Sequence, residues 1–358
     1  MNPAQKAIRA IDRFQQRLPG LSFAVAVWKK FSDDQAGNLA ALISYYAFLA
    51  IFPLLLILFT GLNVVLRDDK SLQERVMSSA LADYPGFASL LQDSIKSFHE
   101  TGVALVFGLL LALFGARGVA RSIQIALNSV WEVPRYEWPR FPWSWVRGFA
   151  LILVVGGGEI CVSVGSGFIS TATFLPGFAL KAASTAVTLV LNIGLFWLAF
   201  RLATAKAISW RDLRLGALIG GVVWQILQLV GGYYITHEVV HSKSLYGQTI
   251  GVVLGLIAWM FLQAEATMYV AEANVVRVRK LWPRSLDAPP QTTEDARAYE
   301  LYAQAQDRKG ETVNVDVTSL PGPEPGDEKM SAGDGADGAP VSARTARGED
   351  RHDCGDDR

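Results

Sequence analysis

Six stretches of the chain stay apolar well beyond the alternation expected of a soluble helix: residues 39–66, 103–130, 146–174, 179–205, 213–235 and 247–276. In a helix rising about 1.5 Å per residue, about twenty apolar residues cross the roughly 30 Å hydrocarbon layer of a bilayer. A helix that is apolar on every side has no wet face. The pattern therefore predicts an all-α, polytopic membrane protein built as a six-transmembrane-helix bundle. Pro53 interrupts the first stretch. Within a bundle such a proline marks a kink whose freed backbone groups neighbouring helices satisfy, so the first span is expected to be kinked and shaped by Tyr45, Tyr46 and Pro53.

The flanks carry a different period. Over residues 3–18, Ile8, Ile11, Phe14 and Leu18 recur at helical spacing with Lys6, Arg9, Arg13 and Arg17 around them. This is the pattern of a helix lying on the inner leaflet, apolar face down and cations toward anionic headgroups. Pro19-Gly20 ends it, and residues 21–31 suit a second interfacial segment. Residues 1–35 are thus expected as amphipathic interfacial helices, 36–284 as the transmembrane domain, and 285–358 as a disordered acidic tail. That tail is rich in Pro, Gly, Asp and Glu and lacks the apolar residues needed to offset ordering, apart from a short helix over 294–306. Two short helices are expected in the connection 67–102, broken at Pro85-Gly86. Trp131, Trp138, Phe141, Trp143 and Trp145 read as an aromatic belt at headgroup level.

Composition sharpens the picture. Of 358 residues, 51% are hydrophobic and 18% charged, too apolar and too charge-poor for a soluble domain of this size. The net charge of zero conceals a basic body and a tail with 8 Lys/Arg against 17 Asp/Glu. In the short connections, seventeen Lys/Arg fall on the side shared with residue 1 and six on the other. Positive residues concentrate on the cytoplasmic side, so both ends are expected there, in the inner (cytoplasmic) membrane and with no cleavable signal peptide. Two cysteines, Cys161 and Cys354, form neither a disulfide framework nor a zinc site.

Ionisable groups within a bilayer are costly, so each is a site hypothesis. Arg117, Arg121, Gln124 and Asn128 are spaced four, three and four apart, which places them on one helix face. Arg121 and Glu265 each lie about 27 Å from the outer ends of their helices at about 1.5 Å per residue, a candidate pair. Glu272 sits nearer the inner headgroups, with Arg117, Arg277 or Arg279 as partners, and Glu159 falls near midplane. The same desolvation rule is met if these groups only fix helix packing or snorkel. Gly-x-x-x-Gly at 216–220 and 251–255 permits close backbone approach and says little about function.

His237-Glu238-Val239-Val240-His241 matches H-E-x-x-H, which on a helix presents two imidazoles to zinc. A catalytic zinc needs a third protein ligand, and nothing nearby supplies one, so His237 and His241 are weak metal candidates. Neither a phosphate loop nor a nucleophile elbow occurs in the sequence. No cofactor, no nucleic-acid partner and no enzymatic activity are expected.

Three groups of residues carry a resemblance. They are Ala-Ala-Leu-Ile-Ser-Tyr-Tyr-Ala-Phe-Leu-Ala-Ile-Phe-Pro-Leu-Leu at 40–55, the segment 118–131 with Asn128, and Tyr246-Gly247 opening a last helix that closes with Ala271-Glu272-Ala273-Asn274. Together they resemble the YihY/BrkB family of bacterial inner-membrane proteins over about residues 20–280. Val270 stands where relatives have Gly, so for Glu272 only its position is carried over. The resemblance implies a six-helix integral protein of the cytoplasmic membrane with no settled activity. Some relatives are linked to serum resistance or envelope lipid export, and the family once carried a ribonuclease label that these residues give no chemistry to support.

The expectation that follows is a transporter or flippase-like bundle for an anionic amphiphile or small solute. Arg117 and Arg121 would attract the anion, Glu265, Glu272 and Glu159 would balance them, and membrane lipid would be the surrounding partner. A non-transporting envelope scaffold is the alternative reading, and a zinc peptidase a more remote one.

Overall fold

The chain is described here from a computed structural model, which covers residues 3–65, 102–170, 177–205, 207–234, 248–286 and 292–310. The described residues contain helices and no strand: α1 (Pro3–Arg17), α2 (Pro19–Asp33), α3 (Ala36–Val65), α4 (Gly102–Val130), a 3-10 turn (Arg135–Glu137), α5 (Trp143–Ser170), α6 (Gly177–Ala203), α7 (Arg214–Tyr234), α8 (Gln248–Arg279) and α9 (Thr293–Ala305). The expected connection helices at 67–102, the H-E-x-x-H segment and the tail beyond 310 lie outside the described residues.

Five helices are long and apolar enough to cross a bilayer, over Leu109–Val130, Trp143–Val162, Phe178–Ala203, Arg214–Gly231 and Val253–Arg279. No more than 33% of any of them is buried within the fold. Leu110, Phe114, Leu153, Ile160, Val190, Leu229 and Leu254 face outward. Only lipid satisfies so much exposed apolar surface on helices whose backbone bonds are closed internally. The remaining expected span, the first along the chain, corresponds to α3, a single 30-residue helix that continues through Pro53. Its described apolar part, Ala36–Ile51, is shorter.

α3 lies along α4, α6 between α5 and α7, and α8 against α3, α2 and α7. Small residues set the closest approach: a Cβ on Gly115 would sit 3.0 Å from the Ala50 Cα, and the Tyr46 ring lies directly over Gly118. This is the contact Tyr46 makes, whereas Tyr45 is exposed.

Two buried asparagines stitch helix ends together. Asn128 Nδ2 donates to the carbonyls of Gln124 (2.6 Å) and Ala203 (3.2 Å), and its Oδ1 accepts from the Ala205 N–H at 2.8 Å. Asn274 Nδ2 donates to the Asp212 carbonyl at 2.9 Å while its Oδ1 accepts from the Gly216 N–H at 3.2 Å. Each supplies partners that a helix terminus lacks. These bonds gather the C-terminal ends of α4, α6 and α8 with the N-terminal end of α7 at one end of the bundle, here termed the base.

α1 keeps Ile8, Ile11, Phe14 and Leu18 on the surface. α2 behaves differently from the interfacial segment expected. Its stripe Ser22, Ala26, Val27 and Lys30 is buried, with Phe31 stacked on Tyr269 of α8 at 3.9 Å. Order also extends past residue 284: Thr292 opens α9 with a capping box shared with Asp295. The expected aromatic belt loses Trp131, which is buried in the core, while Phe141, Trp143 and Trp145 are exposed.

Candidate functional site

The polar stripe of α4 turns toward the start of α5 and the end of α6. Arg117 lies over the Trp145 ring, 4.8 Å from its centroid, a cation–π seat. Its Nη1 is buried without a hydrogen-bond partner. Arg121, one turn on, is exposed. Among the described residues no carboxylate lies within 4.0 Å of either guanidinium. Gln124 is buried and donates to the Ser144 carbonyl at 3.4 Å, and Asn128 is engaged as above. Nearby, Arg147 donates to the carbonyls of Arg201 (3.1 Å) and Thr204, and Arg201 sits 5.5 Å from the Trp210 ring. The base therefore presents arginines anchored by aromatic rings and backbone carbonyls, with their charge left uncompensated by acidic side chains.

The acidic residues named from the sequence do not supply that compensation. Glu265 is half-buried and forms no ion pair with Arg121 among the described residues. Glu159 is half-buried on α5 and forms no ion pair among the described residues. Glu272 is fully buried, and its partner is Lys30 rather than Arg117, Arg277 or Arg279.

Lys30 forms the centre of a second cluster. Its ammonium lies 2.5 Å from Asp34 Oδ2, 2.6 Å from Glu132 Oε1 and 3.4 Å from Glu272 Oε2, and all four side chains are between 0% and 6% exposed. Burial would push the ammonium down, but Glu272, Glu132 and Asp34 together outweigh it and hold Lys30 well above the ordinary lysine range. Burial pushes the Asp34 and Glu132 carboxyls up, although Lys30 pulls both down. Glu132 reaches the cluster from a left-handed backbone at φ 49°, where glycine is the usual residue. The bonds Val133 N–H to Asn128 carbonyl and Glu132 N–H to Ser129 carbonyl close the end of α4 around it.

A third group clasps α9 to this end. Asp295 accepts from Arg284 Nε (2.9 Å), Lys29 Nζ (3.0 Å) and the Ser285 N–H (2.9 Å). Burial alone would raise its carboxyl, but these donors outweigh it and hold Asp295 well below the usual carboxylate range. Arg284 also meets Asp33 at 3.0 Å, and the Tyr302 ring lies 5.5 Å from Lys30.

Sequence reasoning missed Lys30, Asp34 and Glu132. The signal was present for Lys30, which falls on the same helical face as Ala26 and Val27, four and three residues earlier. Among the described residues no group of three His, Cys, Asp or Glu is arranged to hold a metal, and His237 and His241 lie outside them.

Long lipid-facing helices, interhelical asparagine bridges and charges gathered at one end define a multi-pass α-helical membrane protein. Residues 27–294 match the family described as "Virulence factor BrkB". The chain belongs to that family. It is similar to the inner membrane protein YhjD of Escherichia coli (strain K12), at 24% identity over 277 residues, covering 72% of this chain and 81% of the relative. A UPF0761 membrane protein of Xanthomonas campestris pv. campestris (strain B100) is 24% identical over 293 residues, 78% of this chain and 66% of the relative. One from Stenotrophomonas maltophilia (strain K279a) is 24% identical over 286 residues, covering 73% and 62%. No solved structure matches the chain. With these relatives and its apolar helices, the protein is a multi-pass protein of the inner membrane.

Proposed function

We propose that the chain is a transporter or flippase-like protein, non-enzymatic, that accepts an anionic amphiphile or small anionic solute at the Arg117–Arg121 face. One observation carries the reading: two guanidinium groups one turn apart, one seated on Trp145 with a buried Nη1 that has no hydrogen-bond partner, have no carboxylate to neutralise them among the described residues. Such a pair is costly at a membrane unless an anion completes it, and guanidinium suits phosphate or carboxylate through paired N–H bonds. The arginine distribution favours a cytoplasmic base, in which case the anion would enter from the inner leaflet. Neighbouring exposed Trp143 and Phe141 match the amphipathic level of a lipid headgroup.

A second reading, an envelope scaffold that moves nothing, is favoured by Gln124 and Asn128, whose side chains bond backbone groups. The two separate in vesicles reconstituted with the purified protein and a fluorescent anionic phospholipid. The Arg117→Gln, Arg121→Gln double variant is expected to lose the protein-dependent movement of that lipid between leaflets. Movement at the wild-type rate in the double variant contradicts the transport site, and none in the wild type favours the scaffold.

A further inference from the structure

The Lys30 cluster carries a charge deficit. Its anions are Asp34 from the α2–α3 turn, Glu132 after α4 and Glu272 on α8. The cations facing it are Lys30 itself and Arg279, which attracts Glu132 and bonds the Trp131 carbonyl at 3.4 Å. The other charged neighbours are Asp33 and Arg284, which pair with each other at 3.0 Å, while Lys29 pairs with Asp295. Tyr302 covers Lys30 as a neutral phenol, since burial pushes it above its usual range. Three carboxylates against two cations leaves one negative charge in an interior that exposes almost none of these side chains.

The contacts show where a compensating charge belongs. Neither oxygen of Glu272 accepts a hydrogen bond from an N–H or O–H donor, and Glu132 Oε2 is likewise buried without one. Asp34 and Glu272 share one ammonium, with Asp34 Oδ2 at 2.5 Å and Glu272 Oε2 at 3.4 Å from Lys30 Nζ, which brings the two carboxyls together. Two ionised carboxylates are acceptors only and repel one another. They form a favourable contact only when one of them carries a proton to donate.

The geometry points to a proton-binding site at this joint, with one proton held between the Asp34 and Glu272 carboxyls and lost or regained through water at the base. Uptake forms one O–H bond on a carboxyl oxygen and brings the group of Lys30, Arg279, Asp34, Glu132 and Glu272 from minus one to neutral. Because the site is made by α2, the end of α4 and α8, release of the proton leaves an uncompensated buried charge where the peripheral helix meets the spanning bundle. That contact weakens as the proton leaves. The inference stands on this cluster alone and is independent of any anion at Arg117 and Arg121.

The test uses the full-length protein in nanodiscs and infrared spectroscopy of the protonated-carboxyl stretching band. At neutral pH the wild type minus Glu272→Gln difference spectrum is expected to contain one such band, which disappears as pH is raised. Glu272→Gln mimics the protonated state, so its thermal midpoint should match that of wild type at mildly acidic pH and lie above it at neutral pH. A folded state that binds an extra proton loses stability as pH rises above the unfolded carboxylate value near about 4.3. The wild-type midpoint should therefore fall from mildly acidic to alkaline pH, and more steeply than that of Glu272→Gln. A difference spectrum without the band overturns the proposal. Should the variant fail to fold, a wild-type midpoint that is flat or rises over the same range overturns it equally.

Discussion

Lys280 ends α8 in the left-handed backbone region at φ 56°, with the Leu281 N–H bonded to the Val276 carbonyl and the Lys280 N–H to that of Arg277. This closure normally uses glycine, because a Cβ is strained there. Lys280 is exposed and has no ion pair among the described residues, so nothing offsets the strain. Lys280→Gly is expected to stabilise the protein by about 0.5–1 kcal/mol, seen as a raised thermal midpoint in detergent. Glu132 shares the conformation, but its carboxylate engages Lys30, and the same substitution there should destabilise. Asn128 works in the opposite sense. Asn128→Ala leaves the Ala203 carbonyl and the Ala205 N–H unsatisfied in the interior, at about 1–3 kcal/mol for each group, and should lower the midpoint more than Gln124→Ala, which releases one long bond. Asn128 could be singled out in the sequence by its place on a polar stripe. Its role as a brace between two helix ends could not, because that depends on where α6 terminates.

At the scale of elements, the apolar period defined the spans because a lipid-facing helix must be apolar over most of its exposed surface, and this constraint shows in the predominantly apolar stretches Leu109–Val130 and Val253–Arg279. α2 was harder to place. Its mixture of small and large apolar residues fits a membrane surface as well as a groove between helices, and only the packing of Phe31 on Tyr269 and the burial of Lys30 separate them. α9 was legible as a short helix, while its docking was not, since the composition after residue 284 is that of an unstructured tail. What orders it is three donors converging on one carboxylate. The Asp295 carboxyl is held below its ordinary value, so its contribution is present at neutral pH and is lost as pH falls below about 3.9, the unfolded value, through the folded one. Asp295→Asn should release α9 at neutral pH. The change leaves buried Arg284 with Asp33 alone, a loss on the order of 3–5 kcal/mol for a broken buried pair. Limited proteolysis after residue 286 should be faster in this variant than in wild type. Equal rates would show that α9 is held by other contacts.

For the whole molecule, charge is distributed by job. Asp33, Asp34, Glu132, Glu272 and Asp295 are committed to Lys30, Arg284 and Lys29, while Arg117 and Arg121 stand without acidic partners among the described residues. The sequence made the arginines visible and suggested that Glu265 or Glu272 would neutralise them. Depth counted along helices could not reveal that Lys30, thirty residues from the start of the chain, takes Glu272 first. We propose above all that the arginine face, without acidic partners among the described residues, binds an anionic headgroup. Native mass spectrometry of protein released from mixed anionic and zwitterionic lipid measures this directly. Wild type should retain anionic lipid selectively, and the Arg117→Gln, Arg121→Gln variant should lose that selectivity while remaining folded. Equal retention of anionic lipid by both proteins would contradict the claim.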